Sequence, residues 1–390
     1  MNEILLELLK DARKNQRSKI NNDIDFPALY NMSKEHQISA LIYNQIYSFP
    51  GLPDDLKEIW KREALKINAF QTRRTIRMLQ IYKKFLEKNL KVLIVKGLIC
   101  RSLYPQPDNR NSNDEDLYVR DKDMKAVSEI FIENNFQVIS KKEDVTTFID
   151  PMSGLSIELH TALFSMESKA YGNYQKYFED AFDKCIRHNI DGVDVYSLNY
   201  DQHLLFLILH LVKHFFHGGV GIRQLLDIVM YSEAYGEMID WDKLYQILKK
   251  LNIYTLVINL FALAHDHLEL DYTKIKVPED IEDTDYEDLL KDIMEAGVFG
   301  QSSNERIHSA TMTLNTISDG KTNVLKSIFP SLKEMKGKYE YLDKYPILLP
   351  IAYISRIINY KKNHSSSESQ KTIEVGKQRV ELLRKYKVIK

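Results

Sequence analysis

Lys91-Val92-Leu93-Ile94-Val95-Lys96-Gly97 and, further on, Asp114-Glu115-Asp116-Leu117-Tyr118-Val119 are the stretches whose reading decides the fold. The first is a short apolar, β-branched run and reads as a buried strand that turns at Lys96-Gly97. A brief helix to Tyr104 and a polar loop over 105–113, carrying Arg110, lead to the second stretch, a strand ending at Arg120-Asp121. Residues 122–135 place Met124, Val127, Ile130 and Phe131 on one side of an amphipathic helix. Strands are expected over 136–139, 145–149 and, after a turn at 151–154, over 155–160. Strands and helices alternate only between about 91 and 163, which describes a small α/β core inside a helical protein.

Helical periodicity governs the rest. Leu5, Leu6, Leu8 and Leu9 open the chain. Ile38, Leu41, Ile42 and Ile46 fall at helical spacing, Asp54-Asp55 opens a helix running toward Phe70, and residues 75–90 read as a further one. Beyond Asn199, helices are expected at 201–217, 222–235, 241–252, 254–269, 285–296, 304–316, 347–361 and 371–387, with a flexible joint at 364–369. The expected class is α+β. Residues 1–70 form an N-terminal helical region, 71–198 the core with a small mixed sheet, and 199–390 a C-terminal helical domain.

With 390 residues, 44% hydrophobic and 28% charged, the chain has material for a sizeable core. Lys plus Arg number 54 against 55 Asp plus Glu, a formal charge of -1, which argues against a non-specific nucleic-acid surface. Two cysteines make no disulfide framework and fit a reducing compartment. The N-terminus lacks a signal-peptide pattern, and 204–216 is too short and too interrupted to span a bilayer, so a soluble, cytoplasmic protein is expected.

Asp114 and Asp116 are the first chemical candidates. Residues two apart on a strand share a face, and two adjacent carboxylates repel unless a cation lies between them. Such a pair suits Mg²⁺, which prefers carboxylate oxygen. Alone the pattern is weak, since the composition yields roughly eight acidic-x-acidic pairs by chance. Its context strengthens it: the Lys96-Gly97 turn precedes it, and Glu158 lies inside the apolar strand Ile157-Glu158-Leu159, where a carboxylate needs a partner. If the strand of Glu158 lies beside that of Asp116, three carboxylates converge, and with a glycine turn they suit two-metal phosphoryl or nucleotidyl transfer.

These residues resemble the bacterial nucleotidyltransferases of the DNA polymerase β superfamily, in the branch of uncharacterised nucleotidyltransferases. The resemblance lies in 92–97, in Leu103-Tyr104-Pro105, in Arg110-x-x-x-Asp114-x-Asp116-Leu117-x-Val119 and in Ile157-Glu158-Leu159-His160. It extends to His36-x-x-x-Ala40-Leu41-x-Tyr43, to 221–228 and to Phe329-Pro330-Ser331. It implies a polymerase β-like core that transfers a nucleoside monophosphate, ATP being among the donors, to an acceptor hydroxyl with release of pyrophosphate. Asp114, Asp116 and Glu158 would be the catalytic carboxylates and metal ligands. The implied cofactor is Mg²⁺, one or two ions, with Mn²⁺ able to substitute. Lys96 and Gly97 stand where the superfamily cradles the triphosphate, and Arg110 is the next phosphate candidate. The acceptor is a small molecule, sugar, peptide or protein hydroxyl, with nucleic acid and membrane disfavoured. Glu115 departs from the usual apolar residue between the aspartates and faces the other side of the strand, where a charge needs a partner. It sustains the alternative of a degenerate member acting as a binding or regulatory module.

His203, His210, His214 and His217 fall on one helical stripe. No cysteine cluster accompanies them, and the resemblance of His210 and His214 to family positions favours cleft lining over zinc. His160 shares the face of Glu158 and pairs either with it or with a phosphate. Arg223 and Asp227, four apart on a partly buried helix, read as an i,i+4 pair or as a clamp on the pocket. Arg73-Arg74 reads as a solvated face.

Overall fold

The computed structural model describes residues 1–20, 23–297, 304–319, 332–336, 339, 341–363 and 366–389. Ahead of the sheet stand α1 (Asn2–Arg13), α2 (Phe26–Glu35), α3 (Ser39–Ile46) and α4 (Asp54–Glu87). Leu5, Leu8 and Leu9 of α1 are fully buried. Asp25 caps α2 by accepting the Ala28 N–H at 3.0 Å, with Pro27 in the first turn. Where the sequence reading ends one helix near Phe70 and starts another at Thr75, α4 is a single helix of 34 residues. The intervening Gln71-Thr72-Arg73-Arg74 contains no glycine or proline to break it.

The sheet has seven strands: β1 (Leu93–Val95), β2 (Glu115–Tyr118), β3 (Gln137–Lys141), β4 (Val145–Ile149), β5 (Ser156–His160), β6 (Ile186–Ile190) and β7 (Val193–Ser197), in the order β3-β4-β5-β2-β1-β7-β6. β1 is central. Its Leu-Ile-Val is wholly buried, antiparallel to β2 and parallel to β7. β2 runs parallel to β5. The α+β class with a mixed sheet and helical flanks is the class observed. The β6–β7 hairpin is an addition to the sequence reading, which ended the strands near 163. Its turn, Asp191-Gly192, has positive φ at both residues (47° and 77°), as a type I′ hairpin requires.

α4 and α6 (Met124–Glu133) cover one face of the sheet. There Phe131 stacks on Phe148 of β4 at 4.8 Å and meets Phe85 of α4 edge-on at 5.5 Å. Tyr82 donates to the Val92 carbonyl and accepts the Tyr196 N–H, which ties α4 to β7. Between β1 and β2 lies α5 (Gly97–Arg101), and before β6 lies α7 (Ala181–Lys184).

After the sheet come α8 (Tyr200–His217), α9 (Ile222–Tyr235), α10 (Trp241–Lys250), α11 (Tyr254–Leu268), α12 (Glu287–Ala296) and α13 (Asn304–Asp319), then helices at Leu332–Lys336, Tyr341–Lys344, Leu349–Asn363 and Ser366–Lys385. Ser366 to Ser369, expected in a flexible joint, belong to the last helix; His364-Ser365 and Phe329-Pro330-Ser331 lie outside the described residues. Three late side chains close the C-terminal end of α8. Arg379 donates to the Phe215 carbonyl, Thr313 to Phe216 at 2.6 Å and Arg306 to Gly218 at 3.0 Å. Both guanidiniums pair with buried Asp292, Arg306 at 2.6 Å and Arg379 at 3.0 Å. One hydrophobic cluster runs from α1 through the sheet to Leu383 and Tyr386.

Candidate functional site

Register brings the carboxylates together. β2 lies between β1 and β5, with Val95 opposite Asp116 and Asp116 opposite Glu158. His160, two residues beyond Glu158, shares its face. The His160 Nε2 stands 3.3 Å from Asp116 Oδ1 and 3.4 Å from Glu158 Oε2. These three side chains could hold a metal ion, their donor atoms lying within 4.8 Å of one another. Asp114 sits just before β2 and lines the adjoining cleft.

Lys96 supplies the positive charge. Its Nζ is 2.5 Å from Asp116 Oδ2 and 3.5 Å from His210 Nε2. Burial works against the ammonium, yet Asp116 and Asp114 outweigh it and hold Lys96 above the ordinary lysine range. Burial likewise opposes the charge on Asp116, but Lys96 and His160 bring its carboxyl below the usual range. Glu158 is lowered chiefly by the hydrogen bond to His160, and His160 is raised because its two carboxylates outweigh burial. Asp114 is raised by burial, with repulsion from Asp116, Glu158 and Glu115 set against Lys96.

The Lys96 backbone is held in an unusual shape. Its φ of 80° is rare for a side-chain-bearing residue and stores roughly 1–3 kcal/mol of strain. A chain of hydrogen bonds fixes it. Lys96 N–H donates to His203 Nε2 at 3.1 Å, His203 Nδ1 meets Ser197 Oγ at 2.9 Å, and Ser197 Oγ donates to the Ile94 carbonyl at 2.9 Å. With Nε2 accepting, Nδ1 carries the proton, so the imidazole is neutral. Burial depresses it to about 3. His203, read from sequence as one member of a stripe, is therefore the support of the lysine turn. The signal available was its place at the start of α8.

Glu115 finds its partners beneath that turn. It is buried, paired to Arg101 Nη2 at 2.6 Å, and accepts the Leu98 N–H at 2.8 Å. A Cβ added at Gly97 would lie 1.7 Å from Glu115 Oε2. The close approach that glycine permits here is thus taken by the protein's own carboxylate. Arg101 also donates to Thr75 Oγ1 and Ser112 Oγ, each at 2.6 Å. Arg74 is fully buried, contrary to the solvated face expected, and donates to the Ser112 and Asn113 carbonyls. Gln71 donates to Ser112 as well, at 2.9 Å. One helix thereby sets the loop that delivers Asp114.

Arg110 is buried in a two-pronged ion pair with Asp227, both contacts 2.7 Å. Tyr104 donates to the same carboxylate at 2.7 Å, while Arg223 stands 3.7 Å away. Lys96, Arg110, Asp114, His210, Arg223 and Asp227 line one narrow cleft between the β1–α5 turn and the starts of α9 and the polar loop. Gln37 and Gln224, which sequence reasoning missed, line it too. His214 meets His210 edge-on at 4.4 Å between ring centres, Nε2 to Nε2 3.2 Å. No helix among the described residues is long and apolar enough to cross a membrane.

The mixed sheet thus presents two facing carboxylates beside a strand–turn–helix lysine. A family model described as uncharacterised nucleotidyltransferase matches residues 22–269, and the chain belongs to that family. Among solved structures it is similar to an antigenic nucleotidyltransferase-like protein from Paracoccidioides brasiliensis, at 13% identity and a TM-score of 0.33, over 51% of this chain and 92% of that one. The comparison with curated proteins finds no match.

Proposed function

We propose that this protein moves a nucleoside monophosphate from a nucleoside triphosphate to an acceptor hydroxyl and releases pyrophosphate, in the presence of Mg²⁺ or Mn²⁺. The observation that carries the reading is the in-register pairing of Asp116 with Glu158, with Asp114 and Lys96 alongside, in a chain of a nucleotidyltransferase family. The donor set fits a divalent cation. Two carboxylates suit Mg²⁺, and the imidazole nitrogen widens the set toward Mn²⁺. Such a cation, when bound by Asp114, Asp116 and Glu158 with His160 beside them, supplies charge neutralisation for the phosphate oxygens.

The chain's own groups do the rest. Glu158, partly exposed and kept deprotonated by His160, accepts the proton of the acceptor hydroxyl. His160 orients that carboxylate. Lys96, whose backbone is fixed by His203, offers its ammonium to the phosphates. The neutralisation of Glu115 by Arg101 favours this enzyme over a degenerate binding module, because the residue that departs from the superfamily pattern has a supporting place in the fold. The acceptor carries a hydroxyl on a small molecule, sugar, peptide or protein.

Pyrophosphate release from each of the four nucleoside triphosphates, with Mg²⁺ or Mn²⁺, tests this. Asp116→Asn and Asp114→Asn should each lower the rate by about 10²-fold or more, the scale set by removing one group that stabilises transition-state charge. Parent-like rates in both variants would remove the assignment.

A further inference from the structure

The cleft lined by Lys96 and Asp114 has a wall whose hydrogen-bond donors are incompletely paired. Arg110 and Arg223, both buried, share the single carboxylate of Asp227. Asp114, on the same cleft, is the further carboxylate that acts on Arg223, yet no hydrogen bond joins the two. Three buried N–H donors of these walls, Arg110 Nη1, Arg223 Nε and Gln224 Nε2, have no hydrogen-bond partner among the described residues. Buried donors are nearly always paired, so three together mark a place where acceptor oxygens belong. The N-terminus of α5 is not that place, since Glu115 already fills it.

The position of the cleft tells which oxygens. In the sheet order, Glu158 of β5 lies on one side of Asp116, and the Lys96 turn after β1 lies on the other. The cleft is lined from the Lys96 side and does not include Glu158 or His160. Transfer of a phosphoryl group proceeds in line, with attacking and leaving oxygens on opposite sides of phosphorus. An acceptor activated at Glu158 therefore expels its leaving group toward the arginines.

We infer that the cleft walled by Arg110, Arg223 and Gln224 is the subsite for the terminal phosphates of the nucleotide and for the pyrophosphate released, with Asp227 the internal counter-ion that holds the two guanidiniums apart from it. The inference rests on the transfer reaction proposed above and adds residues of α9 to the site. Arg110 is the anchored member, with two short contacts to Asp227. Arg223, at 3.7 Å, is the one free to turn to phosphate. Burial and the neighbouring Arg110 also depress the Arg223 guanidinium, against the pull of Asp227 and Asp114.

Calorimetric titration of the full chain with inorganic pyrophosphate, in chelator so that no metal contributes, tests the subsite. Arg223→Gln leaves the Arg110–Asp227 pair intact and should keep the fold while weakening pyrophosphate at least tenfold. Arg223→Lys, which keeps charge but loses the fork, should fall between. Binding of a nucleoside monophosphate, which lacks the terminal phosphates, should change less than twofold. Asp116→Asn should bind pyrophosphate no more weakly than the parent. A parent that does not bind millimolar pyrophosphate, an Arg223→Gln affinity within twofold of it, or an equal loss of monophosphate binding overturns the subsite. Pyrophosphate binding through Arg223 in a protein that releases none from any triphosphate would support the subsite and defeat the reaction. An active enzyme whose pyrophosphate affinity ignores Arg223 would do the reverse.

Discussion

Replacing Gly97 by alanine adds one methyl group, and the site around it makes the cost calculable. The new Cβ would stand 1.7 Å from Glu115 Oε2 and 2.7 Å from its Cδ. Contact distances demand that the carboxylate withdraw by more than 1 Å. It cannot do so while keeping Arg101 at 2.6 Å and the Leu98 N–H at 2.8 Å. Each bond is charge-assisted, and two of them at roughly 1.5–3 kcal/mol give a loss of about 3–6 kcal/mol, close to the roughly 3–5 found when a buried ion pair is broken. Urea unfolding followed by circular dichroism should register that drop for Gly97→Ala. In a Glu115→Ala background the obstruction is gone, and the same substitution should cost under about 1 kcal/mol, so the pair is strongly non-additive. If Gly97→Ala is as stable as the parent within about 0.5 kcal/mol, or if the two substitutions add, Glu115 does not occupy the space beneath the turn and the reasoning fails.

The remaining predictions concern the scaffold. His36 and His203 are buried neutral, titrating near 4 and near 3 against 6.5 when unfolded, and each accepts a backbone N–H on one ring nitrogen. As pH falls below 6.5 the unfolded chain takes up protons first, so the stability from their neutral burial is complete above that pH and lost toward pH 4, at about 1.4 kcal/mol per unit for each. His36→Gln should flatten the dependence of unfolding free energy on pH between 6 and 4.5 by one proton, and an unchanged slope would contradict the assignment. Asp292→Asn leaves Arg306 and Arg379 buried without a counter-charge and should cost about 3–5 kcal/mol. Limited proteolysis should then cut near the last helix first, and a parent-like digestion pattern would rule this out.

The strands from 93 to 160 were legible because their apolar runs are short, β-branched and set between turn residues, and the helices after Asn199 because their periods are long. The β6–β7 hairpin was harder to see. Arg187, His188, Asn189 and Asp194 dilute its apolar pattern, leaving the Asp191-Gly192 turn as its main signal. At the site, alternation sufficed to put Glu158 and His160 on one face, since it is local; that β2 lies beside β5 and so brings Asp116 to Glu158 comes from the strand pairing. What Arg110 and Glu115 touch was not legible, because their partners Asp227 and Arg101 are chosen by tertiary packing, in the first case 117 positions away. Arg74 shows the same limit: its charge reads as exposed, while its burial depends on a loop folding back to offer carbonyls.

The closure of α8 by Arg379 has a consequence for the order of events in synthesis. A ribosome delivers the histidine-bearing helix long before the arginine that satisfies its last turn, 164 residues after Phe215. During that interval the Phe215 carbonyl lacks its guanidinium, and the support of the lysine turn hangs from a helix whose far end is incompletely closed. The guanidinium of Arg379 reaches Asp292 only as the final helix emerges. Maturation of the cleft is in this way tied to near-completion of the chain, and truncated products would carry the three carboxylates without the rigid wall that faces them.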